Sequence, residues 1–191
     1  KPQGEVHSLK KYGNANEKIN PTYIDWRLDV NTTLEELTNG SVEDIIPTGL
    51  ELDFTSIEIH ELKVGSEGKL TLGDKVTPNV IETSTGFKVE LGKTDKAYRI
   101  TYKTNITEFK ETYQNDAVLK DNDELIKQDL ATVDGLSQGS LIEKEGWVRQ
   151  ENKNQIYWRL YVNKAESNLK DVRILDEIPA GLNVESIKAW K

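Results

Sequence analysis

The stretch YIDWRLDVN, residues 23–31, decides the fold. Ile24, Trp26, Leu28 and Val30 alternate with Asp25, Arg27 and Asp29. Alternation of apolar and charged side chains with a period of two marks a β-strand with one face in a core and the other in water. The pattern returns in IYWRLYVN, residues 156–163. There Ile156, Trp158, Leu160 and Val162 alternate in the same phase with Tyr157, Arg159 and Tyr161.

The return is part of a longer repeat. VEDIIPTGLEL contains Asp44, Pro47 and Gly49, and RILDEIPAGLNV contains Asp176, Pro179 and Gly181. The offset is 132 residues for Trp26/Trp158 (158 − 26), and the same holds for Asn31/Asn163, Asp44/Asp176, Pro47/Pro179 and Gly49/Gly181. A constant offset across these landmarks indicates tandem modules. The expected division is a complete module over residues 1–134, a polar link over 135–140 and the first half of a similar, incomplete module over 141–191.

Other segments extend the β reading. VGSEGKL, residues 64–70, has the composition of a hairpin tip, and AYRITYKTNI, residues 97–106, reads as a long strand. PTGL and PAGL are turns, with proline fixing φ and glycine allowing a positive φ. NDELIKQDL, residues 122–130, fits either a short helix or another strand. Many short strands separated by turn signals predict an all-β fold, an immunoglobulin-like β-sandwich, in tandem copies.

Composition narrows the function. The net charge of −8 argues against nucleic acid or an anionic membrane as the main partner, since both require a cationic footprint. The absence of cysteine removes disulfides and thiolate metal sites. No apolar run is long enough for a membrane span, so no membrane insertion is expected. With two histidines, no cysteine and no phosphate loop, a turnover enzyme is not expected, and neither a metal nor any other cofactor is called for. The acidic DNDE at residues 121–124 lacks the ligand spacing and glycine of an EF-hand loop. The absence of methionine, even at position 1, fits a segment excised from a longer precursor.

Three polar residues fall on faces that otherwise read as buried. In YQNDAVL, residues 113–119, Asn115 shares a face with Tyr113, Ala117 and Leu119. Asp44 shares a face with Val42 and Ile46, and Asp176 repeats it beside Ile174 and Ile178. Lys11 alternates with Leu9 two residues before Gly13, and Lys144 alternates with Ile142 two residues before Gly146. Each has an ordinary explanation: a hydrogen-bonded amide, a turn cap, a snorkelling lysine. Together they suggest an amide exchange. Burial pushes a lysine toward the neutral, nucleophilic amine and a carboxyl toward the protonated acid. A carboxamide held against that amine could be converted to a Lys–Asn isopeptide bond with loss of ammonia. Lys10 is the alternative amine, although its alternation partners are Ser8 and Val6.

These motifs resemble the collagen-binding domain family of Gram-positive cell-wall surface adhesins, whose type member is the staphylococcal collagen adhesin. The resemblance is carried by KYG at residues 11–13, the Trp26–Asn31 strand, VEDIIP around Asp44, ITYKTNIT at 100–107 and YQNDA around Asn115. It implies a crosslink between Lys11 and Asn115 with Asp44 as catalyst, and places Lys144 and Asp176 as the second copy's equivalents. No equivalent asparagine is found in residues 141–191. The resemblance also implies an extracellular, cell-wall-anchored location, and collagen or another host extracellular-matrix protein as partner, alongside neighbouring modules of the same chain. The tandem period leaves a second role open, a stalk that spaces a binding domain from the wall.

Overall fold

The computed structural model describes residues 7–167 and 169–190. The outer ends of the expected modules, residues 1–6 and 191, lie outside the described residues. In chain order the strands are β1 (Leu9–Ala15), β2 (Tyr23–Val30), β3 (Leu37–Ile45), β4 (Leu50–Val64), β5 (Leu70–Lys75) and β6 (Asn79–Thr83). They continue with β7 (Gly86–Thr94), β8 (Ala97–Ile106), β9 (Tyr113–Asp121), β10 (Glu124–Val133), β11 (Ile142–Arg149) and β12 (Asn152–Val162).

Two five-stranded antiparallel sheets form a sandwich, in the orders β1-β2-β8-β4-β5 and β10-β9-β3-β7-β6. The alternation in β2 sets the inner face of the first sheet. Ile24, Trp26, Leu28 and Val30 are all buried, and across the core they meet Val42, Phe87, Val89, Ala117 and Leu119. Burying each of these large side chains is worth about 1.5–3 kcal/mol. The Trp26 indole donates to Thr104 Oγ1 at 2.9 Å, so the ring enters the core without stranding its N–H. Asp29 is on the opposite face of β2, yet it too is buried, because Arg99 covers it with bonds of 2.7 and 2.9 Å.

The undecided segment 122–130 is a strand. Asn122 and Asp123 take φ of 51° and 65°, and this two-residue turn joins β9 to β10. Consecutive left-handed residues match the strand twist of a tight hairpin. The polar link is not a free tether. Leu136 is buried, Ser137 bridges to Ile19, and Asn20 N–H donates to Ser137 O at 2.8 Å. One apolar residue in an otherwise polar segment is enough to seat it on the first sandwich.

β11 and β12 form a separate two-stranded sheet in the register of β1 and β2: Gly146 faces Trp158 as Gly13 faces Trp26. In both copies a Cβ on the glycine would run into the indole of that tryptophan. The shared terminal asparagine also has a local cause. Asn31 and Asn163 take φ of 54° and 53°, and each donates from Nδ2 to a backbone carbonyl four residues on, at 2.9 Å. Asparagine tolerates the left-handed region and bonds its own turn.

Gly13→Ala is expected to destabilise the protein by about 1–3 kcal/mol, the usual cost of overpacking. Gly146→Ala is expected to cost less, because Trp158 is half-exposed and free to shift. Chemical denaturation of the two variants checks the order.

Candidate functional site: a buried lysine, aspartate and asparagine

β1 lies at the edge of one sheet and β10 at the edge of the other, and the two strands meet. Asp129 on β10 accepts the Lys11 backbone N–H at 2.7 Å and fixes this junction. Lys11 points inward and Lys10 points out, its side chain 39% exposed beside Asp129. The alternation of β1 therefore separates the two lysines as the sequence suggested.

Inside, three of the expected residues converge. Lys11, Asp44 and Asn115 are 2%, 1% and 0% exposed. They come from β1, β3 and β9, so both sheets contribute. Lys11 Nζ donates to Asp44 Oδ2. At the centre is a residue to which the sequence reading gave no role, Tyr102 on β8. Its hydroxyl donates to Asp44 Oδ2 at 2.8 Å and accepts from Lys11 Nζ and Asn115 Nδ2, both at 2.9 Å. One signal was available: an inward tyrosine needs a partner for its hydroxyl. Register places Asp44 opposite Ala117, two residues from Asn115.

Burial shifts the titratable groups toward their uncharged forms. Burial lowers the Lys11 pKa, against the opposing pull of Asp44 and weaker ones from Asp116 and Asp129. Burial raises the Asp44 pKa, against the opposing effects of Lys11, Tyr102 and Asn115. Burial, then the Asp44 charge, holds the Tyr102 phenol well above its ordinary value. Desolvation is the leading cause for both members of the pair, and it pushes each toward its uncharged form against the attraction between them. Asp44 Oδ1 and Asn115 Oδ1 are each buried without a hydrogen-bond donor. A proton on Asp44 would turn one of these acceptors into a donor for the other.

The second copy places Lys144 Nζ 2.6 Å from Asp176 Oδ1, and no asparagine joins them. Among the described residues no group of three or more histidines or carboxylates is placed to hold a metal ion. On the outer face of the first sheet a shallow groove is lined by Tyr12, Asn14, Asp25, Arg27, Thr101 and Lys103. The Arg27 guanidinium stacks 4.0 Å from the centre of the Tyr12 ring.

Removing Asp44 from an unreacted protein isolates the Lys11 amine. Asp44→Ala in an Asn115→Ala background is expected to cost about 3–5 kcal/mol near neutral pH. The loss should shrink as pH rises toward 10.5, the ordinary lysine value. Between the lowered value of the folded chain and this ordinary one, the unfolded chain binds a proton that the folded chain does not, so stability rises with pH across that window. Urea denaturation at neutral and alkaline pH measures both.

Residues 6–129 match the family described as the collagen binding domain. The fold is similar to that of the collagen binding subdomain of the Enterococcus faecalis surface protein ACE, at 15% identity and a TM-score of 0.51, covering 68% of this chain and 98% of that one. It is also similar to an E. faecalis ACE structure whose ligands are described as bound by the collagen Hug model, at 15% identity and a TM-score of 0.53, covering 70% and 52%. A third likeness is to the collagen adhesin of Staphylococcus aureus, at 17% identity and a TM-score of 0.50, covering 66% and 48%. No curated protein sequence matches the chain. The matched span is well over half of the 191 residues and runs from β1 into β10: the chain belongs to the collagen-binding domain family.

Proposed function

We propose that this chain is a segment of a cell-surface adhesin, directed at collagen or a related matrix protein and made rigid by a bond it forms itself. The observation that carries the second part is the convergence of an amine, a carboxyl and a carboxamide in a space closed to water. The neutral Lys11 amine attacks Asn115 Cγ. Asp44 protonates the carboxamide oxygen, which has no other donor, takes up the proton released by the Lys11 nitrogen and delivers it to the departing Nδ2, and regains the oxygen's proton as the carbonyl re-forms. A Lys11–Asn115 amide forms as the Cγ–Nδ2 bond breaks, and ammonia leaves. Tyr102 holds Lys11, Asp44 and Asn115 in register through its three hydrogen bonds. Each molecule reacts once, so the chemistry is maturation rather than turnover.

The bond would close a loop of roughly 100 residues, worth up to about 4–5 kcal/mol in the chain-entropy account of cross-links. It would also join edge strand β1 to β9 of the facing sheet, resisting shear without cysteine. Residues 1–134, 135–140 and 141–191 are proposed as module, link and half-module, on the strength of the repeated register. Family membership supports the binding role, and the related surface proteins support an exposed, wall-attached location. The groove beside Tyr12 and Arg27 supports a docking surface for an extended ligand. The stalk reading is favoured by the tandem copies alone.

The intact mass is expected to lie one ammonia below that calculated from the sequence, with a peptide map linking Lys11 to Asn115. Asn115→Ala and Asp44→Ala should restore the calculated mass. Tyr102→Phe should slow closure without abolishing it, seen as a mixture of linked and unlinked chains. An unshifted wild-type mass would leave the triad a hydrogen-bonded core and nothing more.

Saturable binding to immobilised collagen is expected, weakened about tenfold or more by Tyr12→Ala combined with Arg27→Ala. Absence of binding by the wild-type chain would put the stalk role ahead.

A further inference from the structure

The second copy is fastened to the first through a single asparagine. Ser167 is 6% exposed, the one buried residue among those described in 141–190. It meets Asn20, in the loop that joins β1 to β2. The Ser167 hydroxyl donates to Asn20 Oδ1 at 2.8 Å, and Asn20 Nδ2 donates to the Ala165 carbonyl at 2.5 Å. The polar link joins the same cluster. Gly139 N–H donates to Asn20 Oδ1 at 3.1 Å, and Asn20 N–H donates to Ser137 O at 2.8 Å. Asn20 thus ties the loop, the link and the second copy together.

Both sides of this contact are shaped in advance. Asn16 Oδ1 accepts Thr22 N–H at 2.9 Å and Tyr23 N–H at 3.1 Å, which closes the loop on itself. Within the loop Asn20 takes φ of 52°, a left-handed position that asparagine tolerates, directly before the buried Pro21. On the other side, Asn163 Nδ2 donates to Ser167 O at 2.9 Å and Asn163 Oδ1 accepts Ser167 N–H at 2.8 Å. The turn that presents Ala165 and Ser167 is therefore held by its own side chain. A Cβ on Gly139 would collide with that of Ala165, so the link passes the turn only as glycine.

The first copy has the same turn with a different surface. Asn31 closes residues 31–35 with the same two bonds, and φ at Leu34 and Glu166 is 57° and 55°. At the repeat offset of 132, Ala165 corresponds to Thr33 (165 − 33) and Ser167 to Glu35 (167 − 35). A threonine in place of Ala165 would push a branched side chain against Gly139. A glutamate in place of Ser167 would remove the donor to Asn20 and set a carboxylate against an acceptor oxygen. The two copies keep the asparagine that forms the turn and differ at two positions that face the joint.

We infer that Asn20, Gly139 and the Ala165–Ser167 turn form a directional joint between modules. The end of the sandwich seats the small-residue turn of the copy that follows and rejects a turn like that of the first. The two copies then move as one body at a fixed angle. The bonding atoms are all neutral, so the joint is indifferent to salt. It stands whether or not Lys11 and Asn115 become linked.

The test is a distance measurement on the 191-residue chain, which has no cysteine of its own. Glu82→Cys on β6 and Lys153→Cys on β12, both at exposed positions, carry two spin labels. Pulsed electron paramagnetic resonance is expected to give one narrow distance, unchanged up to about 1 M salt. Ala165→Thr combined with Ser167→Glu, which installs the first copy's residues, should replace that peak with a broad spread. Ser167→Ala, which removes one hydroxyl and adds no bulk, should widen it. Amide chemical shifts of β2 and β12 that stay in place show that both copies remain folded in the variants. A broad distribution in the otherwise unaltered chain, or a narrow peak that survives these substitutions, overturns the inference.

Discussion

Lys11 and Asp44 are enclosed together between the two sheets, and that enclosure sets the terms for every element around them. An isolated charge in such a place would cost several kcal/mol, so neither residue is tolerable without the other. The Tyr102 hydroxyl bonds both members of the pair and is itself held by Asn115 Nδ2. Four strands must be in place at once for this to hold: β1 for the amine, β3 for the acid, β8 for the phenol and β9 for the carboxamide. The polar cluster thus fixes the relative position of the two sheets more narrowly than apolar packing alone, which is insensitive to direction.

Much of this was legible in the sequence because β-alternation reports which face a side chain takes. It placed Ile24, Trp26, Leu28 and Val30 in the core and turned Lys11, Asp44 and Asn115 inward while sending Lys10 out. It could not say that the three would meet, since the order of strands within and between sheets depends on contacts distant in sequence. Tyr102 shares the alternation of Tyr98 and Ile100 along β8, but its role comes from partners 91, 58 and 13 residues away. β10 was obscure for a different reason. It is an edge strand whose side chains are mostly exposed, so its apolar residues carry no clear period. Asp29 misled in the opposite sense: its outward position was read correctly, but a distant arginine buries it.

The two copies separate what short segments specify from what the whole sandwich must supply. The left-handed asparagine turn, the glycine against the tryptophan ring and the Pro-x-Gly turn recur in both, with nearly equal angles at Asn31 and Asn163 and at Gly49 and Gly181. These features are closed by hydrogen bonds or contacts within one hairpin or turn, so they form wherever the sequence occurs. The β3 segment differs. Its counterpart at 172–178 has the same alternation and the same aspartate, yet lacks strand structure, and among the described residues it has no ladder like that of β3 with β7 and β9. Sequence pattern fixes the face of such a segment; only neighbours fix its backbone.

On the proposed reading, the same burial that makes the triad reactive also makes it a liability until it reacts. Before closure the core holds two ionisable groups that burial pushes toward their neutral forms, together with a carboxamide oxygen that lacks a donor. Closure removes the amine, and with it the cost of desolvating it. The protonated Asp44 then has a permanent acceptor in the new amide oxygen. The unfavourable solvation of the reactants is therefore part of the driving force, and it is present only once both sheets have come together. Folding would thus precede the bond, and the bond would in turn secure the fold at the edge where β1 meets β10.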